Sequence, residues 1–201
     1  MGSDVTVPFL DLAAQSAEIA DEVLSGWRDQ LDGAQFVGGP QVAGFEEEYA
    51  RYVGVEHCVG VGNGTDAVEL ALRAVGVGPG DEVILPANTF VATAEAVSRA
   101  GGVPVLVDCD PQHLLIDPDQ VASAVTPRTR AVVPVHLYGQ TAPVEALRSI
   151  AEAHGLAVVE DAAQSQGASS SAGRAGALGT VAATSFYPGK NLGAGATPAR
   201  S

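Results

Sequence analysis

Lysine is almost absent from this sequence. One lysine, Lys190, stands beside nine arginines, and these ten basic residues face 24 acidic ones, for a formal charge of −14. So acidic a chain has no basic surface with which to neutralise a phosphate backbone, which argues against nucleic acid as a partner. An anionic membrane surface is disfavoured on the same ground. No apolar run approaches the length of a membrane span. The N-terminal MGSDVTVPFLDL lacks a charged segment followed by an apolar one, so no signal peptide is expected and the cytoplasm is the expected location. Cysteine is scarce too. Cys58 and Cys109 each sit in an apolar run, HCVGV and VLVDCD, with no CxxC neighbour. Both are expected as buried free thiols, with neither a disulfide nor a metal site.

What is present is a long apolar complement, 46% of 201 residues, enough for one ordinary domain with a full core. From Asp11 to Leu31, Leu12, Ile19, Val23, Trp27 and Leu31 share one helical face and predict an N-terminal helical arm over residues 1–32. Pro40 then opens a second helical pattern through Val42, Phe45, Tyr49 and Val53, with Glu46, Glu47 and Glu48 on a solvated face. From there apolar strand-like runs (57–62, 82–86, 103–108, 130–135, 156–161 and 182–188) alternate with helix-like segments (66–76, 89–100, 117–125 and 143–154). Runs that are apolar on both faces, alternating with amphipathic helices, predict an α/β fold: a three-layer, mainly parallel sheet with helices on both faces.

Ligands bind such sheets at the carboxyl ends of the strands. The segments expected there are Gly62-Asn63-Gly64-Thr65-Asp66, Asn88-Thr89-Phe90, His136-Leu137-Tyr138-Gly139, Asp161-Ala162-Ala163-Gln164 and Ser185 to Lys190. The first is a glycine-rich strand-to-helix turn, whose free N–H groups suit a phosphate. It fails the dinucleotide fingerprint, because Thr65 occupies the third glycine position. Asp66 and Glu69 also fit a plain capping box with no ligand. A carboxylate at Asp66 would repel a phosphate unless it turned back and offered only its N–H.

Lys190 does not fit a phosphate-loop lysine, since Thr184 and Asn191 stand where that motif needs glycine and Ser/Thr. The special task left to a lysine is that of an amine nucleophile forming a Schiff base with an aldehyde, which an arginine cannot do. A chance surface lysine is the plainer alternative. Asp161, ending VVED, could hold the proton on a pyridine nitrogen or simply cap a helix, and Glu160 should point to the other side of the strand. Phe90 could stack on a ring or belong to the core. His136 could touch a substrate or be structural. Together, a phosphate cradle, a stacking aromatic, a carboxylate and an amine match pyridoxal 5′-phosphate.

The motifs VPFLDL, NGTDA, GDEVILPANTFVAT, VDCDP, PVHLYG, VEDAAQ and SFYPGKNLGA resemble those of the DegT/DnrJ/EryC1/StrS family of sugar aminotransferases, from about Val7 to Ala194. The resemblance implies the aspartate-aminotransferase type of fold, with 33–194 as the cofactor-binding large domain. It implies Lys190 as the lysine that bonds the cofactor and shuttles the proton, Asp161 on the ring nitrogen, Gln164 on the ring hydroxyl and Phe90 on the ring face. Gly64, Thr65 and Asp66 by their backbone, with the Ser185 hydroxyl, would cradle the phosphate. The implied reaction moves an amino group, from glutamate, onto a keto group of a nucleotide-linked deoxysugar, a dTDP-3-keto-6-deoxyhexose in its nearest form, in a homodimer. A dehydrating branch of the family carries histidine at the lysine position, so Lys190 argues against that branch. Gln166 departs from the family, which often has histidine there. The family continues past this point with another strand and a smaller C-terminal domain. Here GATPARS (195–201) diverges, so the chain is expected to be a truncated form or fragment, and a non-catalytic remnant is the alternative reading.

Overall fold

The computed structural model describes residue 7 and residues 9–194. The chain opens with α1 (Leu12–Asp32) and α2 (Pro40–Val53). The Asp11 carboxylate caps α1 by accepting from the Ala14 N–H at 3.0 Å, which satisfies one of the free donors of the first turn. Pro40 begins α2, where its fixed φ suits a helix start. No residue of α1 is buried; Ile19, Leu24 and Trp27 remain exposed along it.

The alternating body follows: α3 (Gly64–Ala74), β1 (Glu82–Pro86), α4 (Val91–Ala100), β2 (Val103–Val107), α5 (Pro118–Ala124), β3 (Thr129–Val132), α6 (Val144–His154) and β4 (Ala157–Asp161). A two-residue pair, β5 (Ser169–Ser170) and β6 (Gly173–Arg174), precedes β7 (Val181–Ala183). Five strands form one parallel sheet in the order β2-β1-β3-β4-β7. Side chains alternate across it, as the pleat requires. Val83 and Leu85 of β1 join α3 and α4 through Leu72, Ala96 and Val97. Ile84, between them in sequence, faces the other way and packs with Val121 of α5 and Leu147 of α6. The expected three layers are therefore present, with one core on each face of the sheet.

Several expectations need correction. The run 57–62 is not a strand. Among the described residues it has no ladder neighbour; the Gly60 N–H donates instead to the Glu46 carboxylate of α2 at 2.6 Å, and Val59 and Val61 are exposed. The last strand is shorter than 182–188, because the chain leaves the sheet after Ala183 and turns into the Ser185–Lys190 loop. The third helix starts earlier than expected, at Gly64, because Asn63 and not Asp66 is its cap. Cys58 and Cys109 are free, as read, but only half-buried. The divergent tail 195–201 lies outside the described residues.

The connections are fixed from one point. Glu160 of β4 is 1% exposed, and both its carboxylate oxygens are engaged. Oε1 accepts from the Leu178 and Gly179 N–H groups at 2.6 Å each; Oε2 accepts from the Gly176 N–H and from His136, both at 2.8 Å. His136 is fully buried, and its Nδ1 accepts from the Ala142 N–H at 2.8 Å. Nε2 must therefore carry the ring proton and donate it to Glu160. His136 thus has a structural role and is shielded from any ligand. Burial raises the Glu160 pKa, but the His136 bond and the backbone donors outweigh it and hold the carboxyl below its ordinary range.

Removing one partner of a buried, hydrogen-bonded charge costs about 3 kcal/mol or more, so Glu160→Gln should lower the urea midpoint by a corresponding amount. The sign of the pH effect follows from the depressed pKa. The stabilisation is complete above the ordinary carboxylate value and fades as pH falls through the folded-state value. Acid unfolding followed by circular dichroism should show that limb in the wild type and lose it in the Gln variant.

Candidate functional site

The carboxyl ends of β1, β3, β4 and β7 open on the same rim as the start of α3. At that start, Asn63 accepts the Asp66 N–H at 3.0 Å, which leaves the Gly64 and Thr65 N–H groups without a protein acceptor among the described residues. Gly64 lies directly against Ser185. A Cβ on Gly64 would stand 2.8 Å from the Ser185 Cβ and 3.1 Å from its Oγ, so only glycine allows the approach. Two free N–H groups at a helix start and a hydroxyl converge there, an arrangement suited to an anion. Asp66 is brought there too, but its N–H is already engaged and its carboxylate turns aside onto Asn63 Nδ2 at 2.7 Å and Arg99 at 2.8 Å.

Asp161 ends β4 and is 6% exposed. As alternation requires, it faces away from Glu160. Its Oδ2 accepts from the Thr93 hydroxyl of α4 at 2.8 Å, and its Oδ1 from the Ala163 N–H at 3.2 Å. Thr93 in turn contacts the Thr89 hydroxyl at 2.8 Å. Among the described residues no helix follows Asp161, so it is not a helix cap; it is a buried carboxylate with its orientation fixed from a second element. Thr93 was missed from sequence. Its signal was the Thr89/Thr93 spacing of one helical turn in NTFVAT.

Lys190 is half-buried on the loop after β7. Burial lowers its pKa from the free-lysine value of 10.5, and the Asp161 charge partly restores it. Gln166 brackets this loop. Its side-chain Nε2 donates to the Thr184 hydroxyl at 2.9 Å and to the Ser185 carbonyl at 2.8 Å, while its backbone carbonyl accepts from Asn191 Nδ2 at 2.7 Å. Gln166 therefore holds both ends of the lysine loop.

An open cleft of about 410 Å³ adjoins Lys190, lined by Gly189, Asn191, Gln164, Leu137, Tyr138 and Gly139 and by Leu10, Leu12 and Gln15 of the N-terminal arm. The arm's contribution was not legible in sequence, since a helical period does not say what a helix end leans on. Tyr138 adopts the left-handed region, with φ 59°, and its hydroxyl accepts from Asn88 Nδ2 at 3.1 Å. Such strain in a bulky residue is held only where its surroundings fix it. Phe90, just before α4, is 71% exposed and so is not core. Gln164 and Lys190 share the cleft; Asp161, Ser185, Gly64, Thr65 and Phe90 lie outside its lining.

The DegT/DnrJ/EryC1/StrS aminotransferase family model matches residues 17–197. The chain is 51% identical over 187 residues to the dTDP-3-amino-3,4,6-trideoxy-alpha-D-glucose transaminase of Streptomyces venezuelae, covering 93% of this chain and 49% of that protein. The crystal structure of S. venezuelae DesV in complex with a ketimine intermediate superposes with a TM-score of 0.90 at 51% identity, over 93% of this chain and 50% of that one. The structure of NtdA from Bacillus subtilis with bound cofactor PMP gives a TM-score of 0.87 at 38% identity, over 94% of this chain and 42% of that one. The chain spans about half the length of the curated relatives it matches.

The contact between Gly64 and Ser185 makes a specific prediction. Alanine is ordinarily the better helix former, but overpacking at so short a distance should cost about 1–3 kcal/mol. Gly64→Ala should therefore lower the thermal midpoint, and Ser185→Gly added to it should recover most of the loss. Additive losses in the double variant would contradict the contact.

Proposed function

We propose a function from one premise: the chain belongs to the DegT/DnrJ/EryC1/StrS aminotransferase family. It forms the cofactor-binding part, residues 33–194, of a pyridoxal-phosphate-dependent aminotransferase, preceded by the arm 1–32. The family is pyridoxal-phosphate dependent, and the residues of this chain fit that group. The observation that carries the reading is that the sole lysine lies on the loop leaving β7, whose last residue pairs with the buried Asp161, and that the same loop sets the Ser185 hydroxyl against a helix start whose first two N–H groups have no acceptor among the described residues.

Lys190 Nζ would hold the cofactor's aldehyde carbon and move the proton between substrate and cofactor carbons. Its burial favours the neutral amine that this requires. Asp161, held by Thr93, would keep the proton on the ring nitrogen. Gln164 would meet the ring hydroxyl, and the exposed Phe90 would cover a ring face. The Gly64 and Thr65 N–H groups and the Ser185 hydroxyl would receive the phosphate, with the Asp66 backbone at the margin because Asn63 shares its N–H. Bound, pyridoxal phosphate supplies the electron sink through which an amino group passes.

The proposed reaction takes the amino group from glutamate to a keto group of a nucleotide-linked deoxysugar. The likeness to the Streptomyces dTDP-3-amino-3,4,6-trideoxy-alpha-D-glucose transaminase favours a dTDP-3-keto-6-deoxyhexose. We place the protein in the cytoplasm as a homodimer, with no nucleic-acid partner given its charge of −14. Among the described residues no helix is long and apolar enough to cross a membrane. A second reading is favoured by the chain's half-length match to its relatives: these residues bind the cofactor without completing turnover.

Incubation of the full chain with pyridoxal phosphate, then borohydride and peptide mass spectrometry, should find the cofactor fixed on the Lys190 peptide and none fixed in Lys190→Arg. The capture rate should level off at a pH below that of free lysine, because the neutral amine is available earlier. No adduct would refute cofactor binding. Turnover of a dTDP-3-keto-6-deoxyhexose with glutamate would support the first reading, and capture without turnover the second.

A further inference from the structure

Arg99, in the last turn of α4, reaches across to α3. Its Nη2 donates to Asp66 Oδ1 at 2.8 Å, and its Nε lies 2.8 Å from Glu69 Oε2. The other Glu69 oxygen pairs with Arg73 Nε at 2.9 Å. The other Asp66 oxygen accepts from Asn63 Nδ2 at 2.7 Å. Both oxygens of Asp66 are thus occupied, and its charge is met by one guanidinium.

That pairing matters because of where Asp66 stands. It is the third residue of the helix whose first residue touches Ser185. A carboxylate in a first turn interacts well with the helix itself, but it competes with any external anion for the same N–H groups and repels it. Glu69, one turn on, adds a second negative charge. The dianionic end of a phosphate ester would meet both.

We propose that Arg99 is a positioning residue for the phosphate end of the site: it draws the Asp66 carboxylate aside and neutralises it, so that α3 offers donors to the phosphate in place of a negative charge. This rests on the cofactor reading above. The role is electrostatic and indirect; Arg99 acts through Asp66.

The test compares pyridoxal phosphate with pyridoxal, which lacks only the phosphate, by titrating the full chain in phosphate-free buffer and following absorbance. Arg99→Gln should weaken pyridoxal phosphate about tenfold and pyridoxal by less than about twofold, the size expected for exposing one carboxylate near the ligand's phosphate. Adding Asp66→Asn should return pyridoxal phosphate to within about threefold of wild type, because the charge left uncovered is removed. Equal losses for both ligands, or no recovery in the double variant, would overturn the proposal. Should Arg99→Gln not fold, Arg99→Lys decides: a retained preference for the phosphate ester supports the role of the charge, and its loss overturns it. A wild-type chain that binds neither ligand refutes the cofactor reading itself. One that binds both equally refutes only the phosphate end.

Discussion

The rest of the structure depends on a single buried carboxylate. Glu160 takes four hydrogen bonds, three from the backbone at 176–179 and one from His136. Those bonds join the exit of β3, the strand β4 and the approach to β7, and each of these carries residues of the rim. Without the carboxylate at that point, three backbone donors and an imidazole N–H would lose their acceptor in a buried or part-buried setting. Buried donors without acceptors cost more than the bonds themselves contribute. The enclosed pair therefore does more to set where Asp161, Tyr138 and Ser185 stand than any residue of the cleft.

Around that anchor the site is built by short-range exclusions and holds. Glycine at 64 permits Ser185 to approach, Thr93 fixes Asp161, and Gln166 grips the lysine loop at both ends. The residues that would act on a ligand are few, and Asp161 and Ser185 among them are positioned by residues on other elements. This is the arrangement that precise positioning requires. In the proposed reading the acidic surface accommodates an anionic ligand because backbone N–H groups would meet it and because Asp66 is paired with Arg99.

The sheet was legible in sequence because strands buried on both faces read as continuous apolar runs, as in EVILP and LAVVED. Pro40, Pro118 and Asp117 marked helix starts for local reasons that survive in the fold. The run HCVGVG was read the same way, yet it is not a strand: it is half glycine and histidine, and composition does not supply a hydrogen-bonding neighbour. The start of α3 was misplaced for a different reason: Asn63 and Asp66 are both good caps, and it is Asn63 whose side chain accepts the Asp66 N–H. Lys190, Asp161 and Ser185 stood out by residue type and position. The contacts of Gln166, Asn88 and the arm's Leu10 and Leu12 join segments far apart in the chain, which spacing alone cannot reveal.

Glu160 and Asp161 are consecutive residues on one strand, and the pleat sends them to opposite sides of the sheet. One locks the scaffold and the other faces the rim. Scaffold and chemistry therefore share one phase: inserting or deleting a single residue ahead of them in β4 would exchange their places and fail in both duties at once. Point substitutions can still be made at Asp161 alone. A change of length ahead of this pair therefore disturbs more than a replacement at either residue alone, and the segment 176–179 is tied to the same phase through the N–H groups it sends to Glu160.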